Sequence, residues 1–340
     1  MSDAVRNCLY RCKLFTDSAE GKEMGAKEFL KKIPVPICGL SLGLASLDRF
    51  LWYNHNGVYV FNIFALFAFL IAGLFTVRIF VDAKGIVKDI QNPGTFGVLA
   101  TYTMTLMLLS AFVKDHIGGI AGDAAFVIWA GAIVMSYVFM AFFIRNAFLK
   151  FSMEKVLPSW VIIFVGYVVA SVTSPSFGTE NIGRMIFWSG LIGYLLLLPL
   201  ISYRTLIVRK IPEAMVPQTA IFAAPVNLCI VGCLTVYGDA PPEIALAVLT
   251  VLGVISYAAV IGYLPVMLNR RFYPSFAALT FPLVISAASF HYLGAYYGVA
   301  SDPVFGVLQT ATVIIAVAVV VYVLIRYIMF LYQAARSAPA

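Results

Sequence analysis

The sequence predicts an all-α integral membrane protein: ten transmembrane helices, paired as five helical hairpins in a pseudo-fivefold ring around a central pore. Three observations lead there: an extreme composition, a row of ten apolar segments, and a proline that returns at near-regular intervals. Of the 340 residues, 62% are hydrophobic and 11% charged, and the mean hydropathy is +0.94. Soluble globular chains do not reach such values. The formal charge of +7 is not gathered into a basic patch interleaved with polar recognition surface, so no nucleic-acid partner is expected.

Residues 1–33 hold Asp3, Asp17, Glu20, Glu23 and Glu28 among lysines and contain no apolar run. They read as a cytosolic tail rather than a signal peptide. Ten apolar segments follow, each near the roughly 20 residues a helix needs to cross the hydrocarbon layer. They run Pro34 to Leu51, Val58 to Val81, Thr95 to Val113, Ala124 to Phe148, Pro158 to Val172, Ile182 to Val208, Pro217 to Tyr237, Ile244 to Leu268, Pro274 to Gly294 and Val304 to Leu331. Together, residues 34–331 form the transmembrane domain, and 332–340 a short cytosolic C-terminal tail. Most segments lack a polar face at helical period, which excludes the buried helices of a soluble protein.

Charge fixes the expected orientation. With the N-terminus inside, 20 of the 23 basic residues fall on the cytosolic side, leaving only Arg49, Lys114 and Arg184 outside. This is a positive-inside pattern, and an even number of spans puts the C-terminus inside as well. The expected location is the cell membrane, plasma or inner.

Prolines stand at the start of every odd segment: Pro34, Pro93, Pro158, Pro217 and Pro274, with gaps of 59, 65, 59 and 57 residues. The repeating unit is therefore a helical hairpin, used five times, and five like hairpins close most naturally into a ring. Odd segments carry Gly39, Ser41, Gly43 and Ser46, then Thr101, Thr103, Thr105 and Ser110, then Gly166, Ser171 and Thr173, then Pro225 and Asn227, and finally Ser286 and Ser289. Even segments are fatter, rich in Phe, Leu, Ile and Val. Small and hydroxyl residues suit a lumen and bulky aliphatics suit lipid, so the odd helices are expected inside, with Gly39, Gly43, Thr103, Gly166, Pro225 and Ser286 as pore-lining candidates. Gly39 and Gly43 taken alone fit a GxxxG helix contact equally well.

Away from their ends, the odd segments carry one ionisable residue, His291. A carboxylate-based coupling site has no obvious place, which favours passive conduction. All five odd helices begin at the cytosolic face, so their positive dipole ends and the basic loops surround one mouth and concentrate anions there. His291, near the far end of its helix beside Tyr292, reads as an interfacial residue or as a titrating sensor. In the ninth segment, Pro282 is expected to kink the helix, with the bulky Phe281 just before it among small neighbours. Phe281 is either an ordinary packing aromatic or a hydrophobic constriction.

No cofactor or metal is expected. Cys8 and Cys12 stand at helical spacing without further ligands, and Cys38, Cys229 and Cys233 read as packing residues. Neither paired carboxylates nor a nucleophile motif suggests an enzyme.

The segments IPVPICGLSLGLASL in the first helix, LPSWVIIFVG in the fifth, AAP at Ala223 to Pro225 in the seventh and FAALTFP at Phe276 to Pro282 in the ninth resemble the tellurite-resistance and dicarboxylate transporter family. That family includes plant slow-type anion channels, bacterial tellurite-resistance proteins and fungal malate and sulfite permeases. The resemblance spans Pro34 to Leu331. It implies a homotrimer with one pore per protomer and small inorganic or carboxylate anions as substrates. It also implies a plugging phenylalanine before a proline, matched here by Phe281 and Pro282. The expected function is an anion channel with a phenylalanine gate; the alternative is a proton-coupled carrier or exporter of C4-dicarboxylate, sulfite or tellurite-type oxyanions.

Overall fold

The computed structural model describes residues 25–54, 62–148, 156–208 and 212–336. Cys8, Cys12, Lys150, Lys155, Arg209 and Lys210 lie outside them. Among the described residues the chain is helical throughout, and nine helices are long and apolar enough to cross a membrane. The first span, Ile37–Asn54, falls short of that standard because Asp48, Arg49 and Asn54 dilute it, yet it is deeply enclosed: from Ile37 to Leu51 every residue but Arg49 is buried.

The spans alternate in burial. The third (Pro93–His116), fifth (Trp160–Phe177), seventh (Glu213–Tyr237) and ninth (Pro274–Tyr296) bury 78–83% of their apolar windows. The second (Asn62–Val81), fourth (Gly119–Phe148), sixth (Glu180–Ser202), eighth (Glu243–Leu268) and tenth (Pro303–Arg336) bury only 22–39%. Contacts among the buried spans follow a closed cycle, first to third to fifth to seventh to ninth and back to the first. Each even span packs on the odd span before it and touches the next, covering the seam between them. The ring of hairpins expected from the proline repeat is thus present, with the odd helices inside.

A second mark of the repeat is visible only in the backbone. Gly118, Gly178, Gly238 and Gly298 all have positive φ, stand sixty residues apart, and close the third, fifth, seventh and ninth spans. Glycine reaches this conformation without a Cβ penalty and so ends a helix sharply. These four buried spans therefore run from a proline to a glycine.

The odd spans are also irregular where the even ones are mostly smooth. The seventh begins as a 3-10 helix, Glu213–Ala223, and becomes α-helical over Ala224–Tyr237, with Pro225 in the first turn. The ninth repeats this: a 3-10 stretch, Pro274–Leu279, precedes the α-helix Thr280–Tyr296. Pro282 is therefore not an interior kink. It occupies the first turn of the α-helical part, where a missing N–H costs little, and the chain changes pitch just before it. The fifth span is broken twice, by 3-10 turns at Gly166–Val168 and Ser174–Phe177. Irregular backbone survives at membrane depth only when enclosed by protein, which the ring of even spans provides.

Two short helices complete the fold. Ala26–Lys32 packs on the second span and reaches the tenth, where Lys32 Nζ donates to the Ala334 carbonyl at 3.3 Å. Ala83–Asp89 follows the second span, and its Asp89 meets the buried Arg78 at 2.5 Å.

Candidate functional site

Two cavities lie end to end within the ring, each lined by all five odd spans. Each offers about 40 Å³ in which the centre of a water-sized sphere fits, room for about three waters at 10–15 Å³ apiece. The proline-side cavity is bounded by Gly39 and Leu42, by Val98, Thr101 and Met104, by Val161, Ile162, Val165 and Gly166, by Ile221, Ala224, Pro225 and Leu228, and by Ala277, Ala278, Phe281 and Pro282. The glycine-side cavity is bounded by Ser46, Arg49 and Phe50, by Leu108, Val169 and Val172, by Leu228 and Val231, and by Phe281, Ile285, Ala288 and Tyr292. Phe281 and Leu228 belong to both linings and so form the wall between the cavities.

Local structure explains how Phe281 comes to stand there. The pitch change at Leu279 and Thr280 turns the start of the ninth helix, and Thr280 Oγ1 donates to the Gly39 carbonyl of the first span at 3.1 Å. Gly43 makes this approach possible: a Cβ there would collide with the Thr280 hydroxyl and come within 3.2 Å of the Phe281 backbone nitrogen. On the other side of the ninth span, Asn227 Nδ2 of the neighbouring seventh span donates to Ser286 Oγ at 3.0 Å, while Ser286 Oγ donates to the Pro282 carbonyl at 2.7 Å. Phe281 thus sits on backbone tied to both neighbouring spans.

Residues 33–328 match the family described as voltage-dependent anion channel. The chain belongs to the voltage-dependent anion channel family. A search among curated proteins finds no match. Membership brings anion channel or transport activity in general and makes this a multi-pass membrane protein, in line with its apolar helices.

Within this anion channel family member, the residues named from sequence divide. Gly39, Gly166, Pro225, Phe281 and Pro282 lie on the cavity walls. Gly43, Thr103 and Ser286 line neither cavity. Gly43 is a helix contact, Thr103 Oγ1 lies 2.7 Å from Ser136 Oγ of the fourth span, and Ser286 bridges the seventh and ninth spans. The same holds for most hydroxyls of the odd spans. Ser41 donates to the Ala68 carbonyl at 2.8 Å, Ser171 to the Gly183 carbonyl at 2.8 Å, and Thr173 accepts from Trp129 Nε1 at 2.8 Å. A hydroxyl in a lipid-bound bundle is held best by a carbonyl or a neighbouring helix, so these groups turn away from the axis and leave an apolar passage.

Three functional candidates escaped the sequence reading. Leu228 shares the dividing wall, one turn after Pro225, but nothing distinguishes it from other leucines in a helix that is apolar all round. Arg49, expected at the outer surface, lines the glycine-side cavity. Asp48 is 1% exposed; its Oδ1 accepts from the Ala65 N–H at 3.0 Å, and its Oδ2 has no partner among the described residues. The first helix continues to Asn54, which places Arg49 on a cavity wall and Asp48 against the second span, and corrects the expectation that His291 is the sole ionisable group along the inner helices. His291 itself packs edge-on against Phe50, with ring centroids 6.1 Å apart. Among the described residues no three His, Cys, Asp or Glu side chains gather as a metal site, and Cys38, Cys229 and Cys233 are buried free thiols.

Proposed function

We propose that this protein is a channel for small anions, that the two cavities are segments of its pathway, and that Phe281 closes the path between them. One observation carries the reading: Phe281 and Leu228 line both cavities, so an ion passing from one to the other must displace these side chains. A constriction of apolar rings blocks ions by filling the bore and by expelling water. The passage offers few polar groups, which favours anions that shed water readily over strongly hydrated ones. Within the membrane, both termini face the cytosol, in keeping with the 20-to-3 split of basic residues. The family resemblance supports a homotrimer with one pathway per protomer, and a mass measurement in nanodiscs tests that state.

The decisive experiment is current through planar bilayers in chloride, nitrate and malate gradients, normalised to folded protein. Phe281→Ala is expected to raise anion current strongly while Phe281→Leu stays mostly closed. Well-folded Phe281→Ala that conducts no more than the parent refutes the gate.

Asp48 favours a second reading, a proton-coupled carrier of C4-dicarboxylate, sulfite or tellurite-type oxyanions, because enclosed carboxylates at membrane depth often carry protons. Asp48→Asn separates the two: it abolishes pH-driven uptake by a carrier and leaves channel current intact. Without such uptake, Asp48 serves as a cap for the second span, whose first turn it meets at Ala65.

A further inference from the structure

We propose that Arg49 forms an anion-binding site in the glycine-side cavity that takes a small planar oxyanion, such as nitrate, formate or bicarbonate, in exchange for the carboxylate of Asp115. The inference rests on the pathway proposed above and names the ligand class at its far end.

Among the described residues, Arg49 is the one charged residue lining either cavity. Its guanidinium already faces oxygen atoms: Nη1 donates to Asp115 Oδ2 at 3.1 Å, and Nη2 to Ser176 Oγ at 3.2 Å and to the Val172 carbonyl at 3.4 Å. Ser176 Oγ in turn donates to Asp115 Oδ2 at 2.9 Å. The planar fork of Arg matches two oxygens of one flat anion, a geometry that a spherical halide cannot fill and a lysine cannot offer. Asp115 lies in the last turn of the third span with its side chain 20% exposed, so it has water to swing into when an anion replaces it. Arg49 and Asp115 also border a smaller side pocket with Trp52 and His116, with space for about one water.

Electrostatics at this end call for such a site. The odd helices direct their negative dipole ends here, and Asp115, Asp123, Asp239 and Asp302 add formal charge. The other two cations of this end are turned elsewhere: Lys114 to Asp123 at 3.6 Å, and Arg184 to the Val236 carbonyl and the Tyr237 ring. Of these three cations, Arg49 is the one that lines the cavity, and through exchange with Asp115 it offers an arriving anion a favourable stop above Phe281.

The test uses the full chain in nanodiscs and line broadening of carbon-13 formate. Arg49→Gln should abolish the broadening, and Asp115→Asn should tighten binding about two- to tenfold at low salt, an advantage that shrinks as salt screens the charge. Arg49→Lys, which keeps the charge if Gln fails to fold, should retain chloride binding and lose the preference for formate over chloride. In a Phe281→Ala background, Arg49→Gln should also reduce current carried by anions entering from this side. Unchanged formate broadening in folded Arg49→Gln, or an unchanged preference in Arg49→Lys, overturns the site even if Phe281→Ala conducts. Failure of Phe281→Ala to conduct refutes the gate and leaves the binding result standing.

Discussion

The five odd spans and the five even spans are built from nearly the same apolar alphabet, yet they differ in almost every physical respect. The even spans are on average longer, mostly unbroken, and present residues such as Phe80, 83% exposed, to the surrounding lipid. The odd spans are on average shorter, three of them interrupted by 3-10 stretches, bound to one another through hydroxyls and amides, and packed closely enough that their glycines touch backbone. The lesson is that enclosure permits irregularity. Once an outer ring shields the backbone, the inner ring can change pitch where a side chain must be aimed into the axis.

Matched substitutions in the two rings sharpen this contrast. The largest difference is expected between Phe281→Ala and Phe80→Ala. The first removes the Phe281 ring from the wall between the cavities and should raise anion current by on the order of tenfold or more, a barrier change of about 1.4 kcal/mol or greater. The second, on the lipid face, should leave the current unchanged. Next come two glycines. A methyl on Gly97 would sit 2.5 Å from the Ser159 carbonyl oxygen and 2.8 Å from its carbon, backbone that cannot move cheaply. Gly97→Ala should cost about 1–3 kcal/mol and lower the thermal unfolding temperature. Gly73 of the second span has nothing within 4 Å, so Gly73→Ala should unfold at the same or a higher temperature, up to about 1 kcal/mol more stable by helix propensity.

Smaller effects follow for the polar bridges. Asn227→Ala removes the link to Ser286 and the bond to the Ala223 carbonyl, with an expected loss of about 1–2 kcal/mol in detergent unfolding. Because that bridge steadies the backbone beside Pro282, it should also make the closed state leakier. Thr103→Val breaks the contact with Ser136 and the local bond to the Ala100 carbonyl and should cost about 0.6 kcal/mol, with no change in current or selectivity. A selectivity change in Thr103→Val would return Thr103 to the passage and break the division between cavity-lining and helix-bonding residues.

Much of the architecture was legible beforehand. Pro93 and Pro274 announced the repeat because proline has one comfortable place in a helix, its first turn, while Pro217 marks the same position in the repeat from inside a 3-10 stretch. The division into inner and outer helices followed from small residues against bulky ones. What misled was the hydroxyl rule: Thr103 and Ser286 looked like lumen residues, but a buried hydroxyl with no water nearby seeks a helix partner. Pro282 likewise looked like a kink because the preceding 3-10 turn leaves no pattern in an apolar string.

The sequence by itself determined the membrane class, the ten spans, the hairpin repeat and the phenylalanine before a proline, because hydropathy, charge asymmetry and proline chemistry act locally along the chain. Only the tertiary structure decided which face of each inner helix meets the axis, that Leu228 joins Phe281 in one wall, and that Arg49 turns into a cavity instead of toward the surface. These are choices of rotation and contact. In helices apolar on every side no periodicity records rotation, so it is set by where glycines admit a neighbour and where hydroxyls find a carbonyl.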